Sequence, residues 1–340
     1  AYEIASCLVG SEMCKRDSFN TYKDDINIEF GNKTNTITKY RNTYGIAGFN
    51  TSAPSDTGDI NLWSGSTLIS EKRSSLNSNT ISSIGAKYNG SSFSDIFRGH
   101  IAEIIVYNEN LNSAERKILN AYLGAKYNLT AESNLFSYTS VYNNDVIGIG
   151  QEADGNNTSA RGQDSILIDN PSSLDDGDYL LIGNDEGGFS TSNSVGSGII
   201  ERWTQVYRVD VTGTPGTVDI EFFLGTNDFS ASSDDYVVLI ETDDGDFSNG
   251  GTITHEVGRT YTSSPPSIKF TNVNLTDGAY FTLAEKESTD ISTIISGDWK
   301  EKTTWSCGCI PDSNDVATIG PGHLVTLSLI HISEPTRQEA

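Results

Sequence analysis

Carboxylates in tight turns are the main chemical resource of this chain. Asp243-Asp244-Gly245-Asp246, followed by Ser248 and Asn249, gathers three acids and two short polar side chains in one turn-forming segment. Oxygen ligands at such spacing suit a hard divalent cation, calcium above all, although the segment lacks the spacing and the closing Glu of an EF-hand loop. Asp243, Asp244 and Asp246 are therefore the candidate metal ligands and calcium the candidate ion. Asp175-Asp176-Gly177-Asp178 and Asn184-Asp185-Glu186 are similar clusters. A turn with solvated acids is the competing reading of each.

Other reactive groups are sparse. The four histidines are His100, His255, His323 and His331, and none stands beside a Ser or Cys in a nucleophile setting. No G-x-S-x-G elbow is present. Paired carboxylates for glycoside hydrolysis need a cleft geometry that spacing does not supply. The cysteines come as Cys7 with Cys14 and Cys307 with Cys309. Neither pair has zinc-site spacing or a nearby histidine. A Cys7–Cys14 disulfide closing a short loop is one reading and suits an oxidising compartment; free buried thiols are the other. No catalytic residue is assigned, and the chain is read as a non-enzyme.

The elements that must carry these groups are mostly strands. Ile101, Ile104, Ile105, Val106 and Tyr107 form a β-branched and aromatic run. Asn112 then stands as a helix N-cap with Glu115 three residues on, a capping-box spacing. Ile118, Leu119, Tyr122, Leu123 and Tyr127 follow at helical spacing, and Asn128 can end the helix in the left-handed region. One helix in a chain otherwise full of strand patterns is expected to plug an edge or end of a β-sandwich. Beyond it, strands are predicted at 146–150, 165–168, 179–183, 202–211, 217–224, 236–241, 267–270 and 278–283. Asp-Asp-Gly, Thr-Pro-Gly and Thr-Asp-Gly turn signals separate them, which fits an immunoglobulin-like antiparallel sandwich.

The 340 residues are enough for two or three domains, and their net charge of −24 is unevenly spread. Residues 1–143 hold 14 acidic and 13 basic residues, residues 144–287 hold 25 and 6, and residues 288–340 hold 7 and 3, giving −1, −19 and −4. Such acidity argues against nucleic acid and anionic membranes as partners. No apolar run is long enough to span a bilayer. Ala1-Tyr2-Glu3 opens no signal peptide, so the chain reads as a fragment of a longer protein.

Gly99, Ile101, Ala102, Glu103, Tyr107, Leu111, Ala114, Glu115, Arg116, Tyr122, Leu123, Lys126 and Tyr127 together resemble the C-terminal end of LamG-like, concanavalin A-like lectin/glucanase jelly rolls of bacterial surface proteins. The resemblance is specific over residues 80–130. The E-x-D-x-E strand of the glucanase members is missing, which argues against hydrolysis. Asn144–Gly150, Asp176–Gly183, Arg202-Trp203, Tyr207–Val209, Tyr236–Ile240 and Gly278–Ala284 resemble an uncharacterised domain of surface proteins from gliding, Bacteroidetes-type bacteria. Trp299, Trp305, Pro311, Asp315, Val316 and Gly322-His323 resemble the opening of a further module of such proteins, and Leu327–Arg337 resembles a translated sequencing adapter.

The expected organisation is therefore an all-β chain. Residues 1–130 form part of a jelly roll with one C-terminal helix, 141–287 an acidic sandwich, 291–326 an incomplete β module and 327–340 an artefactual tail. The resemblance implies a non-catalytic module of a secreted, extracellular or outer-surface protein. Its role would be adhesion or glycan binding, with glycans or other surface proteins as partners. Tyr40, Tyr44, Phe49, Trp63 and Tyr88 are the aromatic candidates for sugar contact, each equally a core residue. A purely structural spacer is the alternative, and a fragment of a carbohydrate-active enzyme ranks third.

Overall fold

The computed structural model describes residues 86–88, 91–94, 100–107, 111–129, 135–163, 166–224, 235–249, 251–287, 290–306, 310–311 and 316–327, and the backbone of the strands lying within 3–73. Two compact units are present, residues 1–285 and 286–340.

Unit one opens with β1 (Glu3–Gly10), β2 (Ile26–Phe30), β3 (Lys33–Ile37), β4 (Gly45–Thr51), β5 (Asp59–Ser64), β6 (Thr67–Arg73), β7 (Lys87–Tyr88), β8 (Phe93–Ser94) and β9 (His100–Tyr107). Five of these form an antiparallel sheet in the order β6-β5-β4-β1-β9. The helix α1 (Ser113–Lys126) follows with the expected capping box. Asn112 Oδ1 accepts from the Glu115 amide at 3.0 Å, and Glu115 Oε2 accepts from the Asn112 amide at 2.8 Å. Asn128 closes the helix at φ +50°, again as expected.

The sandwich comprises β10 (Asn144–Glu152), β11 (Gly155–Asn157), β12 (Ser159–Arg161), β13 (Ile166–Asp169), β14 (Tyr179–Asn184), β15 (Thr191–Ser192), β16 (Ile199–Trp203), β17 (Tyr207–Thr212), β18 (Val218–Phe223), β19 (Tyr236–Glu241), β20 (Ile253–His255), β21 (Thr260–Ser263), β22 (Pro266–Val273) and β23 (Tyr280–Lys286). The larger sheet runs β11-β10-β14-β17-β23-β16-β15, with β19 also on β23 and β20 beyond it. The smaller runs β12-β13-β18-β22-β21. Alternate residues of both sheets meet in one core, including Ile149, Leu180, Trp203, Tyr207, Val209, Ile220, Phe222, Val238, Phe270, Phe281 and Leu283. Each fully buried large apolar side chain there contributes about 1.5–3 kcal/mol. The chain is thus an all-β, sandwich-like fold with one α-helix among its described residues.

The run 202–211, expected as one strand, is interrupted between β16 and β17. Thr282 Oγ1 on β23 donates to Gln205 O at 2.8 Å, and the Val206 amide donates to Asp185 Oδ1 at 3.0 Å. Contacts from neighbouring segments therefore hold the break.

The larger sheet is covered on its outer face as well. Over β10 and β14, the small residues Ala114, Ala121 and Ala125 of α1 pack on Phe136, Val146, Tyr179 and Leu181. Over β19 and β23, Val206, Val237, Leu239 and Ala284 pack with Phe247 from the turn after β19. The opposite side of α1 is also buried: Leu111, Leu119 and Leu123 pack with Ile105 and Tyr107 of β9 and with Tyr122 and Tyr127.

Unit two contains β24 (Asp290–Ser292), β25 (Gly297–Asp298), β26 (Val316–Thr318) and β27 (Val325–Thr326). β24 pairs with β26 and β25 with β27, both parallel. Trp305 is buried with its ring edge-on to Trp299 at 4.8 Å, and its Nε1 donates to Trp299 O at 2.8 Å.

Candidate functional site

The acidic turn is built at the end of β19. Tyr236, Val238 and Ile240 face the core, while Val237 and Leu239 face the covered outer side, so all six residues of the strand are buried. Glu241 ends the strand fully buried. Its Oε1 accepts from the Thr242 amide at 2.8 Å and from the Asp243 amide at 3.4 Å, and its Oε2 accepts from Thr252 Oγ1 at 3.0 Å. The turn then reverses at Gly245, at φ +78° and against the Tyr280 ring. Carboxylate oxygens of Glu241, Asp243 and Asp244 lie within 4.8 Å of one another.

Asp243 and Asp244 are thus brought together, and Glu241 joins them. Asp246 is turned elsewhere. Its Oδ1 accepts from the Ser248 amide at 2.9 Å and from Ser248 Oγ at 2.6 Å. Those hydrogen bonds, with the field of Arg202 as a lesser cause, hold the Asp246 carboxyl below the usual range. Asp244 Oδ1 accepts from the Asp246 amide at 2.9 Å and from Asn249 Nδ2 at 3.2 Å. Arg202 stacks on Phe247, 4.9 Å from the ring centre, and donates to Trp203 O at 2.7 Å. Three carboxylates with one buried at the base can hold a small cation; the amide bonds also form a self-capped turn.

The other acidic clusters brace turns. Buried Asp178 accepts from the Asp175 and Thr214 amides, both at 3.0 Å, and Asp176 from Gln151 Nε2 at 3.2 Å. Asn184 Oδ1 accepts from the Glu186 amide and Asp185 Oδ1 from the Gly187 amide, each at 3.0 Å. His255 Nε2 lies 3.0 Å from Thr271 O, and His323 Nδ1 lies 2.7 Å from Thr293 Oγ1. The Cys7–Cys14 pairing, Cys307, Cys309 and His331 lie outside the described residues, as do the side chains of His100, Tyr40, Tyr44, Phe49, Trp63 and Tyr88.

A second polar constellation lies where α1 meets the sandwich. Lys117 forms an ion pair with Glu152 of β10, and Tyr179 Oη donates to Glu152 Oε1 at 2.6 Å. Burial pushes the Glu152 carboxyl up, but the hydrogen bonds from Lys117 and Tyr179 outweigh it and hold it below its ordinary value. Burial and the Glu152 hydrogen bond raise the Tyr179 phenol. Asp154 accepts from Ser113 N at 3.0 Å and Ser113 Oγ at 2.9 Å, placing a carboxylate at the positive end of the helix. On the other side, Lys126 pairs with Glu103 of β9 at 3.2 Å, and Tyr127 Oη donates to the same carboxylate at 3.1 Å.

Fold and geometry together define a β-sandwich with a helix docked on its larger sheet. Residues 115–279 match the model of a family described as a domain of unknown function (DUF8202). The match begins in the first turn of α1 and ends at the residue before β23, so it takes the helix together with the sandwich strands β10 to β22. No curated protein and no solved structure matches the chain. Among the described residues, no helix is long and apolar enough to cross a membrane.

Proposed function

We propose that this chain is a non-catalytic module of a secreted bacterial surface protein, in which the sandwich and α1 rigidly present the N-terminal sheet. Adhesion or glycan contact then belongs to that sheet, which we read as part of a concanavalin A-like jelly roll. The observation that carries this reading is the double burial of α1. One face is packed on β10 and β14, the other on β9, and each is fastened by an ion pair, Lys117–Glu152 and Lys126–Glu103. A helix buried on both sides cannot swing without exposing apolar surface, so it transmits force and orientation. A glycan array probed with the chain tests the contact. Saturable binding to a defined glycan supports an adhesive module, whereas a blank array leaves the rigid spacer as the function.

We further propose calcium as the ion for Glu241, Asp243 and Asp244. The convergence of three carboxylates favours it, and the millimolar calcium of extracellular media suits a weak site.

A further inference from the structure

One side of the sandwich ends in two edge strands. The larger sheet stops there at β20 and the smaller at β21. His255 Nε2 of β20 lies 3.0 Å from Thr271 O of β22, and the Thr271 amide donates to Val257 O at 3.1 Å, so both edges share that side. Among the described residues, β21 pairs with β22 and with no other strand. All four of its residues, Thr260 to Ser263, are exposed. The Leu224 amide donates to Pro266 O at 2.9 Å, so Pro266 and Ile268 turn their backbone toward β18, while Ser267 and Lys269 turn theirs toward β21. Thr262 and Thr260 stand opposite those two, which leaves the backbone amides and carbonyls of Tyr261 and Ser263 facing outward. Folded proteins usually blunt such an edge with charge, proline or a bulge. β21 has none of these.

The surrounding stretch is also unlike the rest of its segment. Of the 25 acidic residues in 144–287, only Glu256 falls within 247–276, against Arg259 and Lys269. Arg259 is held inward, donating to Tyr236 O at 3.0 Å and pairing with Glu256 at 3.6 Å. Ile253, Val257 and Tyr261 are half-exposed apolar side chains of the same stretch. A second copy of this chain, itself at −24, can approach closely only where acids are missing. The edge also matches its own copy, because Thr260-Tyr261-Thr262 reads the same in both directions. We propose that β21 is the pairing edge of a homodimer, in which two copies join β21 to β21 antiparallel about Tyr261 and merge their smaller sheets into one. Tyr261 then meets Tyr261 of the partner subunit, with the outward amide and carbonyl of each exchanging hydrogen bonds. Each Thr260 meets a Thr262, and aromatic and threonine cross-strand pairs both stabilise a sheet. A charge at the two-fold axis would face its own copy, so an uncharged strand is what this interface requires. The interface belongs to the sandwich and does not depend on glycan contact by the N-terminal sheet or on calcium.

The test is sedimentation equilibrium of the full chain from micromolar to millimolar concentration, at low and at moderate salt. A monomer–dimer equilibrium is expected, tighter at moderate salt because screening relieves the repulsion between two acidic copies. Tyr261→Pro removes the outward-facing amide and leaves the bonds of Thr260 and Thr262 to β22 in place. It should weaken dimerisation about tenfold or more, the loss that follows removal of one hydrogen bond from each copy. Tyr261→Lys and Tyr261→Asp should each be monomeric, because like charges then stand opposite, whereas an equimolar mixture of the two should dimerise again. The mixture decides the matter should the proline variant fail to fold. A dimer indifferent to all three substitutions, or a mixture as monomeric as its components, overturns the proposal. So does a wild-type chain that is monomeric at millimolar concentration, an outcome that leaves the edge to a strand of another protein.

Discussion

Replacing Leu123 by alanine probes whether α1 joins the N-terminal sheet to the sandwich. Leu123 is buried at the centre of the cluster formed by Leu111, Leu119, Ile105 and Tyr107, on the helix face turned away from the sandwich. The substitution removes three carbon atoms and leaves a cavity walled by helix and strand, at a cost of about 3 kcal/mol within the usual 2–5 for such sites. For a cooperative body spanning residues 1–285 that is a fall in melting temperature of roughly 5 °C. Hydrogen exchange followed peptide by peptide resolves where the loss is felt. If α1 couples the two parts, β9 and the helix lose protection, and β10 and β14, which pack on the other face of the helix, lose it with them. If β9 alone exchanges faster while β14 and β17 keep wild-type protection, the two parts melt independently and the coupling argument fails.

Calcium at about 10 mM is expected to raise the melting temperature. With a Kd of about 1 mM and ten times that concentration of ion, mass action gives about 1.4 kcal/mol, or roughly 2 °C for a body spanning residues 1–285, and Glu241→Gln should abolish the shift; an unmoved wild-type melt refutes the ion site. Glu152→Gln removes the carboxylate shared by Lys117 and Tyr179. Because the folded-state pKa of Glu152 is lowered from 4.5, its stabilisation is present above that value and disappears as pH falls through the folded value. The gap in melting temperature between wild type and Glu152→Gln should therefore be full at neutral pH and close in acid, and a gap independent of pH contradicts the pairing. Gly183→Ala would place a methyl 2.2 Å from Tyr142 O and 2.8 Å from Phe136 Cζ, where the 135–142 segment presses on β14. It should destabilise by about 1–3 kcal/mol, measured by denaturant midpoint, and a neutral result denies that close approach.

Where local chemistry decides structure, the sequence was legible. The capping box of Asn112 and Glu115, the left-handed Asn128 and the turns at Gly177, Gly216, Gly245 and Gly278 all depend on residues a few positions apart. The interruption between β16 and β17 was not legible, because inward-facing apolar residues continue across it, with Trp203 and Tyr207 both in the core. What holds the break is Thr282 and Asp185, distant in sequence and unremarkable in type. The short strands β11, β12, β15, β20 and β21 were missed for a related reason. They are polar and largely exposed, and neighbours rather than alternation define them.

The candidate site shows the same boundary. Asp243 and Asp244 announce themselves beside a glycine, but Glu241 looks like the polar end of a strand. Its burial follows from the outer face of the larger sheet being covered, and that much was written in β19. In an antiparallel sheet with one wet face, Val237 and Leu239 should have been polar. Apolar residues at both parities, in β19 and again at Tyr179 to Ile182 of β14, require a second covering layer. They cannot say what supplies it. Here α1 covers one strand and the turn carrying Phe247 covers the other, so the base of the acidic turn is buried by the same segment that presents its two exposed carboxylates.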